Sequence, residues 1–186
     1  MKETMRDDRG IGNPAMSSEA RIIHLTPGGY RRLVARIEAA RRDYFAVCAE
    51  TEVAAESGDT SVWHDNFAFE ENTRQKHQAA RRVRDLEAMR DACRVHDLPT
   101  GEATAVRLGT VVTIRLEDGS EQAWFLAGWD DGDPAAGRVA YNAGLGRALI
   151  GKEVGDDVRW GPPESPRLAE VVAIRCGTAQ DDEGAE

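Results

Sequence analysis

The chain has 186 residues, of which 41% are hydrophobic and 31% are charged, and its formal net charge is −9. No apolar run approaches the roughly 18 residues of a membrane span, and the N-terminal residues lack the apolar stretch of a secretory signal. We therefore expect a cytoplasmic protein without a membrane segment. The acidic balance also disfavours binding to the phosphates of duplex DNA.

The two ends of the chain differ in composition from the rest. Residues 1–22 mix glycine, proline, serine and charged residues without periodicity, which predicts a disordered leader. Residues 177–186, with the sequence GTAQDDEGAE, are predicted to form a short acidic tail. The three cysteines, Cys48, Cys93 and Cys176, have no spacing suited to zinc or to a redox pair, so we interpret them as free thiols.

Residues 23–98 are predicted to form an antiparallel helical hairpin. Thr26 is a natural N-cap, and Pro27 follows it at the first helical position. Apolar residues then recur in alternating steps of three and four, which is typical of a coiled-coil seam. The positions are Tyr30, Leu33, Ile37, Ala40, Tyr44, Val47, Thr51 and Ala54.

A second helical stretch is expected over residues 67–96, with Val83, Leu86, Met89 and Cys93 on one face. Gly58 ends the first helix, so the two arms fold back on each other at a tip over residues 57–68. A bend centred near Trp63 pairs Leu33 with Cys93 and Ile37 with Met89. Each arm of about 30 residues would be roughly 45 Å long. The sequence therefore predicts a finger.

Residues 99–176 are predicted to form a small α+β domain. Two strands, over residues 110–116 and 121–127, flank Asp118-Gly119, which is a strong hairpin signal. Further strands are expected over residues 138–141, 157–160 and 168–175. A short helical turn over residues 145–150 should end at Gly151.

The segment from Tyr141 to Val158 reads YNAGLGRALIGKEVGDDV. It resembles the signature of the GreA/GreB family, in which SPLGRALLGK precedes VGDxV. LGTVV at residues 108–112 and LTPGGY at residues 25–30 resemble the family's first strands and the start of its first helix. The order and spacing agree over residues 23–175. The resemblance implies an α+β fold with an N-terminal antiparallel coiled coil followed by a small FKBP-like antiparallel β domain.

The resemblance also implies that the chain binds RNA polymerase. In this family the coiled coil enters the secondary channel of the polymerase while the FKBP-like domain docks on the rim. Acidic tip residues then help to hold Mg²⁺ and a water in the polymerase active site, so that the 3′ end of backtracked nascent RNA is cleaved. The chain would then be a cofactor of the polymerase, not an enzyme. The isolated chain would bind no cofactor, and the Mg²⁺ would be shared with the polymerase. No specific binding of duplex DNA is expected.

The family's tip motif, Gly-Asp-Leu-Ser-Glu-Asn, corresponds to GDTSVWHDN at residues 58–66. Without a gap, Val62 takes the place of the glutamate. With three inserted residues, Asp65 and Asn66 take the place of Glu-Asn, and we favour this alignment. It implies that Asp59 and Asp65 are the catalytic carboxylates that hold the metal jointly with the polymerase. The residues expected to support the tip are Ser61, Trp63, Asn66 and Glu70.

The same resemblance implies a polymerase-docking surface around the signature helix. The candidate residues are Leu145, Arg147, Leu149 and Lys152. Ala143-Gly144 stands where the family has Ser-Pro. Three functions stay open: stimulation of RNA cleavage, which we favour; inhibition or modulation of the polymerase without cleavage, since the tip aspartate is shorter than a glutamate; and prolyl isomerisation, which fold analogy alone suggests.

Overall fold

The computed structural model describes residues 22–56 and 67–183, and the side chains of residues 22–50 and 70–183. The elements in chain order are β1 (Ile23–Leu25), α1 (Pro27–Glu56), α2 (Phe67–Asp91), β2 (Cys93–Val95), β3 (Thr110–Leu116), β4 (Glu121–Ala127), a 3-10 turn (Pro134–Ala136), β5 (Arg138–Ala140), α3 (Gly144–Leu149), β6 (Asp157–Trp160), β7 (Arg167–Cys176) and α4 (Ala179–Glu183). Among the described helices, none is long and apolar enough to cross a membrane.

Helices α1 and α2 pack side by side as the predicted antiparallel finger. The predicted seam residues of α1 from Tyr30 to Ala40 share one core, and Tyr44 and Val47 are not part of it. Its buried members are Leu25, Leu33, Ile37, Ala40 and Leu86, and Tyr30, Val83, Met89 and Cys93 pack against them. Arg41 of α1 forms an ion pair with Glu87 of α2, close to the predicted register. All three cysteines are free thiols, as predicted.

The prediction that α2 continues to His96 was wrong. The helix ends at Asp91, and Cys93–Val95 forms β2, which pairs in parallel with β1. The amide of Ile23 donates to the carbonyl of Ala92 at 3.1 Å, and the amide of His96 donates to Leu25 at 2.9 Å. A strand partner from the start of the chain thus overrides the helical periodicity of these residues. The two strands close the base of the finger.

The second domain contains a five-stranded sheet in the order β5-β4-β3-β7-β6. The predicted hairpin joins β3 to β4, and Gly119 adopts a positive φ of 83° in its turn. The expectation of an antiparallel sheet fails at one edge, because β5 pairs with β4 in parallel. Parallel strands need a crossover connection. Residues 128–137, which include the 3-10 turn, supply it.

One face of the sheet carries the core of this domain, and α3 lies on that face. The buried cluster joins residues of the strands, of α3 and of the segment before β3. Its members are Val106, Val112, Ile114, Leu126, Val139, Leu149, Val158, Ala169 and Val171. The signature helix therefore sits where its exposed side faces away from the sheet.

Residues 177–183, predicted to be part of an acidic tail, do not form a detached tail. Ala179–Glu183 forms the short helix α4, which packs against α1. The side chain of Asp182 is only 1% exposed, because it meets hydrogen-bond donors at the start of α1. The predicted leader, apart from Ile22, lies outside the described residues.

Candidate functional site

Most of the predicted tip candidates belong to the segment between α1 and α2 in the sequence. Asp59, Ser61, Trp63, Asp65 and Asn66 lie outside the described residues. The helices that bound them are described: α1 ends at Glu56 and α2 begins at Phe67. The roles assigned to these residues therefore stay predictions.

Glu70, the last predicted tip residue, lies in the first turn of α2 and is exposed. A carboxylate is favourable there, because the N-terminal end of a helix carries partial positive charge. The neighbouring Glu71 accepts hydrogen bonds from Arg74 at 2.8 Å and from Gln75 at 3.1 Å. These bonds lower the pKa of Glu71, and the bond from Arg74 has the largest effect. The carboxylate of Glu71 is thus bound by side chains of α2 itself.

The docking candidates occupy α3 and the loop after it, but one of the four was wrong. Arg147 is exposed, and Leu145 and Lys152 are half-buried. Leu149 is completely buried in the sheet core, so it cannot contact a partner. The exposed apolar residues here are Ile150 and Val154, at 49% and 59% exposure. Neither residue was predicted from the sequence, although only one of the consecutive apolar residues Leu149 and Ile150 can face the core.

The glycines of the signature have local structural causes. A Cβ atom on Gly146 would overlap the carbonyl oxygen of Ala140, so only glycine lets α3 lie against the backbone after β5. Gly151 adopts a positive φ of 77° just after the helix, and its amide donates to the carbonyl of Val106 at 2.8 Å. These contacts fix α3, and with it the direction in which Arg147 and Ile150 point.

Beside α3, the same face of the sheet holds a cavity of about 510 Å³. Trp124, Leu145 and Trp160 are among the residues that line it. The indole nitrogen of Trp124 is buried and has no hydrogen-bond partner within the described part of the chain. Tryptophan is enriched at protein interfaces, and Leu145 of the candidate docking surface also lines this cavity. The cavity therefore extends the candidate docking surface inward from α3.

The base of the finger is attached to the β domain through β1. The carbonyl of His24 accepts from the amide of Trp129 at 3.0 Å, and the amide of His24 donates to the hydroxyl of Tyr141 at 3.4 Å. Its ring Nδ1 lies 2.7 Å from Nε2 of His96. One ring must donate and the other accept, so this contact requires that at least one imidazole is neutral.

Acidification is expected to weaken the fold through this histidine pair. Burial lowers the pKa of His24, and the charges of His96 and Arg94 lower it further. Because the folded state favours neutral His24, the unfolded chain binds more protons below the ordinary pKa of 6.5. The contribution of neutral His24 to the free energy of unfolding is complete above that pH. It is lost as the pH falls towards the folded-state pKa. In urea titrations between pH 7.5 and 5.5, His24→Gln should show a smaller loss of stability than wild type.

His77→Gln is the control for that comparison, because His77 is exposed on α2. It should retain the wild-type dependence on pH. An identical dependence in wild type and His24→Gln would show that the pair does not contribute.

Comparison with known proteins extends over both parts of the molecule. Residues 101–176 match the family described as "Transcription elongation factor, GreA/GreB, C-term". The GreA of Rhodospirillum rubrum is 30% identical over 157 residues, which cover 83% of this chain and 98% of the relative. The GreA of Nitratidesulfovibrio vulgaris is 27% identical over 154 residues, which cover 82% and 93%.

Among solved structures, GreA factor homolog 1 of Thermus thermophilus is 24% identical and covers 83% of this chain and 99% of its own. Its TM-score is 0.40. The identity with the Rhodospirillum rubrum GreA spans nearly all of that protein and includes the finger as well as the β domain. The chain belongs to the GreA/GreB family of transcription elongation factors.

Proposed function

We propose that this protein binds RNA polymerase, inserts its finger into the secondary channel and stimulates the polymerase's own cleavage of backtracked RNA. It would act as a cofactor of the polymerase and not as an enzyme. The observation that carries the proposal is the 30% identity with a GreA over 98% of that relative's length. A resemblance confined to the β domain would support docking alone.

The shape of the finger supports this proposal. Helix α1 contains 30 residues, so its axis rises about 45 Å. Two paired helices form a narrow rod, and the predicted tip lies between their far ends. A rod of this kind can carry side chains into a channel while the β domain stays outside.

The proposed work of the tip is to supply carboxylate oxygens. Mg²⁺ binds oxygen ligands, and a metal-bound water is a better nucleophile than free water. Asp59 and Asp65 would share the Mg²⁺ with the polymerase and orient the attacking water near the RNA 3′ end. Ser61, Trp63, Asn66 and Glu70 would support them.

The proposed docking surface is the exposed side of α3 and the loop that follows. Arg147 and Lys152 provide positive charge, and Leu145 contributes at the edge of the cavity. Ile150 and Val154 add exposed apolar area that burial against a partner would remove from water. Leu149 does not belong to this surface, because its side chain is buried.

A second candidate function is inhibition or modulation of the polymerase without cleavage. The observation that favours it is Val62, which occupies the family's glutamate position when no insertion is assumed. A tip without that second carboxylate could fill the channel but could not complete the metal shell. Variants of the tip carboxylates distinguish the two functions.

The test uses a backtracked elongation complex with the cognate polymerase, labelled RNA and Mg²⁺. Wild-type protein should release short 3′ RNA fragments. Asp59→Ala and Asp65→Ala should each lower the rate roughly 100-fold or more, because each removes several kcal/mol of metal-dependent transition-state stabilisation. Glu102→Ala removes an exposed carboxylate from the other domain and should leave the rate unchanged.

Two other results would contradict cleavage stimulation. Slower nucleotide addition without fragments, relieved by the tip variants, would establish the inhibitory function. If the protein did not affect the polymerase at all, the proposal of polymerase binding would be wrong.

A further inference from the structure

The N-terminal end of α1 is closed by a carboxylate from the opposite end of the chain. Oγ1 of Thr26 accepts from the amide of Gly29 at 3.1 Å, and its hydroxyl donates to Oδ1 of Asp182 at 2.6 Å. The amide of Gly28 donates to Oδ2 of Asp182 at 2.7 Å. The first turn of α1 contains no acidic residue of its own. Asp182 of α4 therefore provides the negative charge that a helix N-terminus favours.

One turn further along α1, Arg32 binds Asp131 of the β domain and Asp182 of α4. Its Nε and Nη2 donate to the two carboxylate oxygens of Asp131 at 2.7 and 2.6 Å. Its Nη1 donates to the backbone carbonyl of Asp182 at 2.6 Å. Burial alone would lower the pKa of Arg32, but the two carboxylates outweigh it and raise the pKa. One guanidinium thus joins α1, the loop after β4, and α4.

Two glycines make this close approach possible. A Cβ atom at Gly28 would lie 2.6 Å from Cγ of Asp182, and one at Gly29 would lie 2.8 Å from Oδ2 of Asp131. Glycine in a helix costs about 1 kcal/mol relative to alanine. Two consecutive glycines in the first turn of a long helix are therefore explained by the two carboxylates that lie against it.

Helix α4 is anchored to the β domain on its other side. Asp181 forms a bidentate pair with Arg175 of β7, at 2.7 and 2.8 Å. Arg138 of β5 donates to the backbone carbonyl of Glu183 at 2.9 Å. The region that matches the family ends at residue 176, so α4 lies outside it. We call the group Arg32, Asp131 and Asp182 the junction clamp.

We propose that the junction clamp fixes the direction in which the finger projects from the β domain, and that its three residues are positioning residues for RNA cleavage. Without the clamp, the hydrogen bonds of His24 and the packing of Trp129 against the finger core would remain at the junction. A tilt of about 10° at the base would displace the end of a roughly 45 Å rod by about 8 Å. Metal–oxygen bonds are only about 2 Å long, so such a tilt removes a tip carboxylate from a metal held elsewhere.

The orientation of the finger relative to the β domain is measured first in the free protein. All variants carry Cys93→Ala, so that two thiols remain for labelling. Spin labels on the two remaining natural thiols, Cys48 on the finger and Cys176 at the end of β7, report the distance across the junction. The parent should give one narrow distance distribution. Asp182→Ala and Arg32→Met should broaden it or shift it by several ångströms. Circular dichroism confirms that each variant is folded, and Asp182→Asn, which keeps the shape of the side chain, should give an intermediate result.

The matched control is Arg31→Ala. Arg31 and Glu183 form an ion pair across the same junction, but both side chains are more than half exposed. Exposed pairs contribute little, so this variant should keep the parent distribution. An unchanged distribution in both Asp182→Ala and Arg32→Met would overturn the inference.

The functional half of this inference rests on the proposed function. In the backtracked complex, Asp182→Ala should lower the cleavage rate at saturating protein at least tenfold, while its binding to the polymerase changes less. A changed distance distribution with unchanged cleavage would contradict the positioning role. If wild type releases no fragments, the proposed function is wrong. The distance measurement still decides whether the junction clamp fixes the direction of the finger.

Discussion

Replacing Gly146 with alanine is expected to destabilise the β domain by at least about 3 kcal/mol, because the new methyl group has no room. It would overlap the carbonyl oxygen of Ala140 and would lie 2.8 Å from Cα of Tyr141. Both are backbone atoms, which cannot rotate away as a side chain can. Since α3 must then move off the end of β5, we expect a large fall in the urea midpoint.

Gly144→Ala is the control for that variant, because it lies in the same helix and a Cβ atom there meets nothing within 4 Å. Alanine favours the helical state over glycine by up to about 1 kcal/mol. This control should therefore be as stable as wild type or slightly more stable. Equal midpoints for the two variants would contradict the packing described for α3.

Leu149→Ala is expected to cost about 2–5 kcal/mol, the range for a fully buried leucine whose removal leaves a cavity. Leu149 is completely buried against the sheet, in a cluster with Val106 and Leu126. Urea unfolding gives the free energy directly. Its neighbour Ile150 is about half exposed, so Ile150→Ala should change stability by less than about 1 kcal/mol.

The same two variants separate stability from docking. On the proposed function, Ile150→Ala should weaken binding to the polymerase while the fold is retained. At temperatures where it is still folded, Leu149→Ala should bind like wild type. A stable Leu149→Ala variant, or an unstable Ile150→Ala variant, would show that the two side chains have been assigned to the wrong environments.

The parts of the fold that could be predicted from the sequence depend on local patterns. The seam through Leu33 and Ile37 follows from alternating steps of three and four, and the β3–β4 hairpin follows from Asp118-Gly119. The position of α3 follows from the short helical pattern that Gly151 ends. In each case the responsible residues are neighbours in the chain, so short-range rules suffice.

The features that were missed depend on residues far apart in the chain. Cys93 fits the helical seam, but β1 offers it a strand partner about 70 residues earlier in the sequence. Asp182 looks like part of a charged tail until it meets Thr26 and Gly28, more than 150 residues earlier. The parallel pairing of β5 likewise depends on the path of the crossover. No periodicity within the segment itself encodes these contacts.

The candidate site also has parts that could be predicted from the sequence and parts that could not. Similarity to the family placed Arg147 and Lys152 on or beside α3, but a motif does not tell which side of a six-residue helix faces the core. Leu149 was therefore assigned to the surface and Ile150 was overlooked. The roles of Asp59 and Asp65 stay predictions, because they rest on an alignment with an insertion and lie outside the described residues.

The most direct test of the account is whether the finger itself lies inside the polymerase. Phe45 is an aromatic residue on the outer surface of α1, 67% exposed and roughly 27 Å along the helix from its start. We would replace it with a photoreactive benzoyl-phenylalanine, form the complex with backtracked polymerase and irradiate. We expect a cross-link from residue 45 to the polymerase that excess unlabelled wild type abolishes. Cross-links from position 150 on the β domain, but none from position 45, would contradict it.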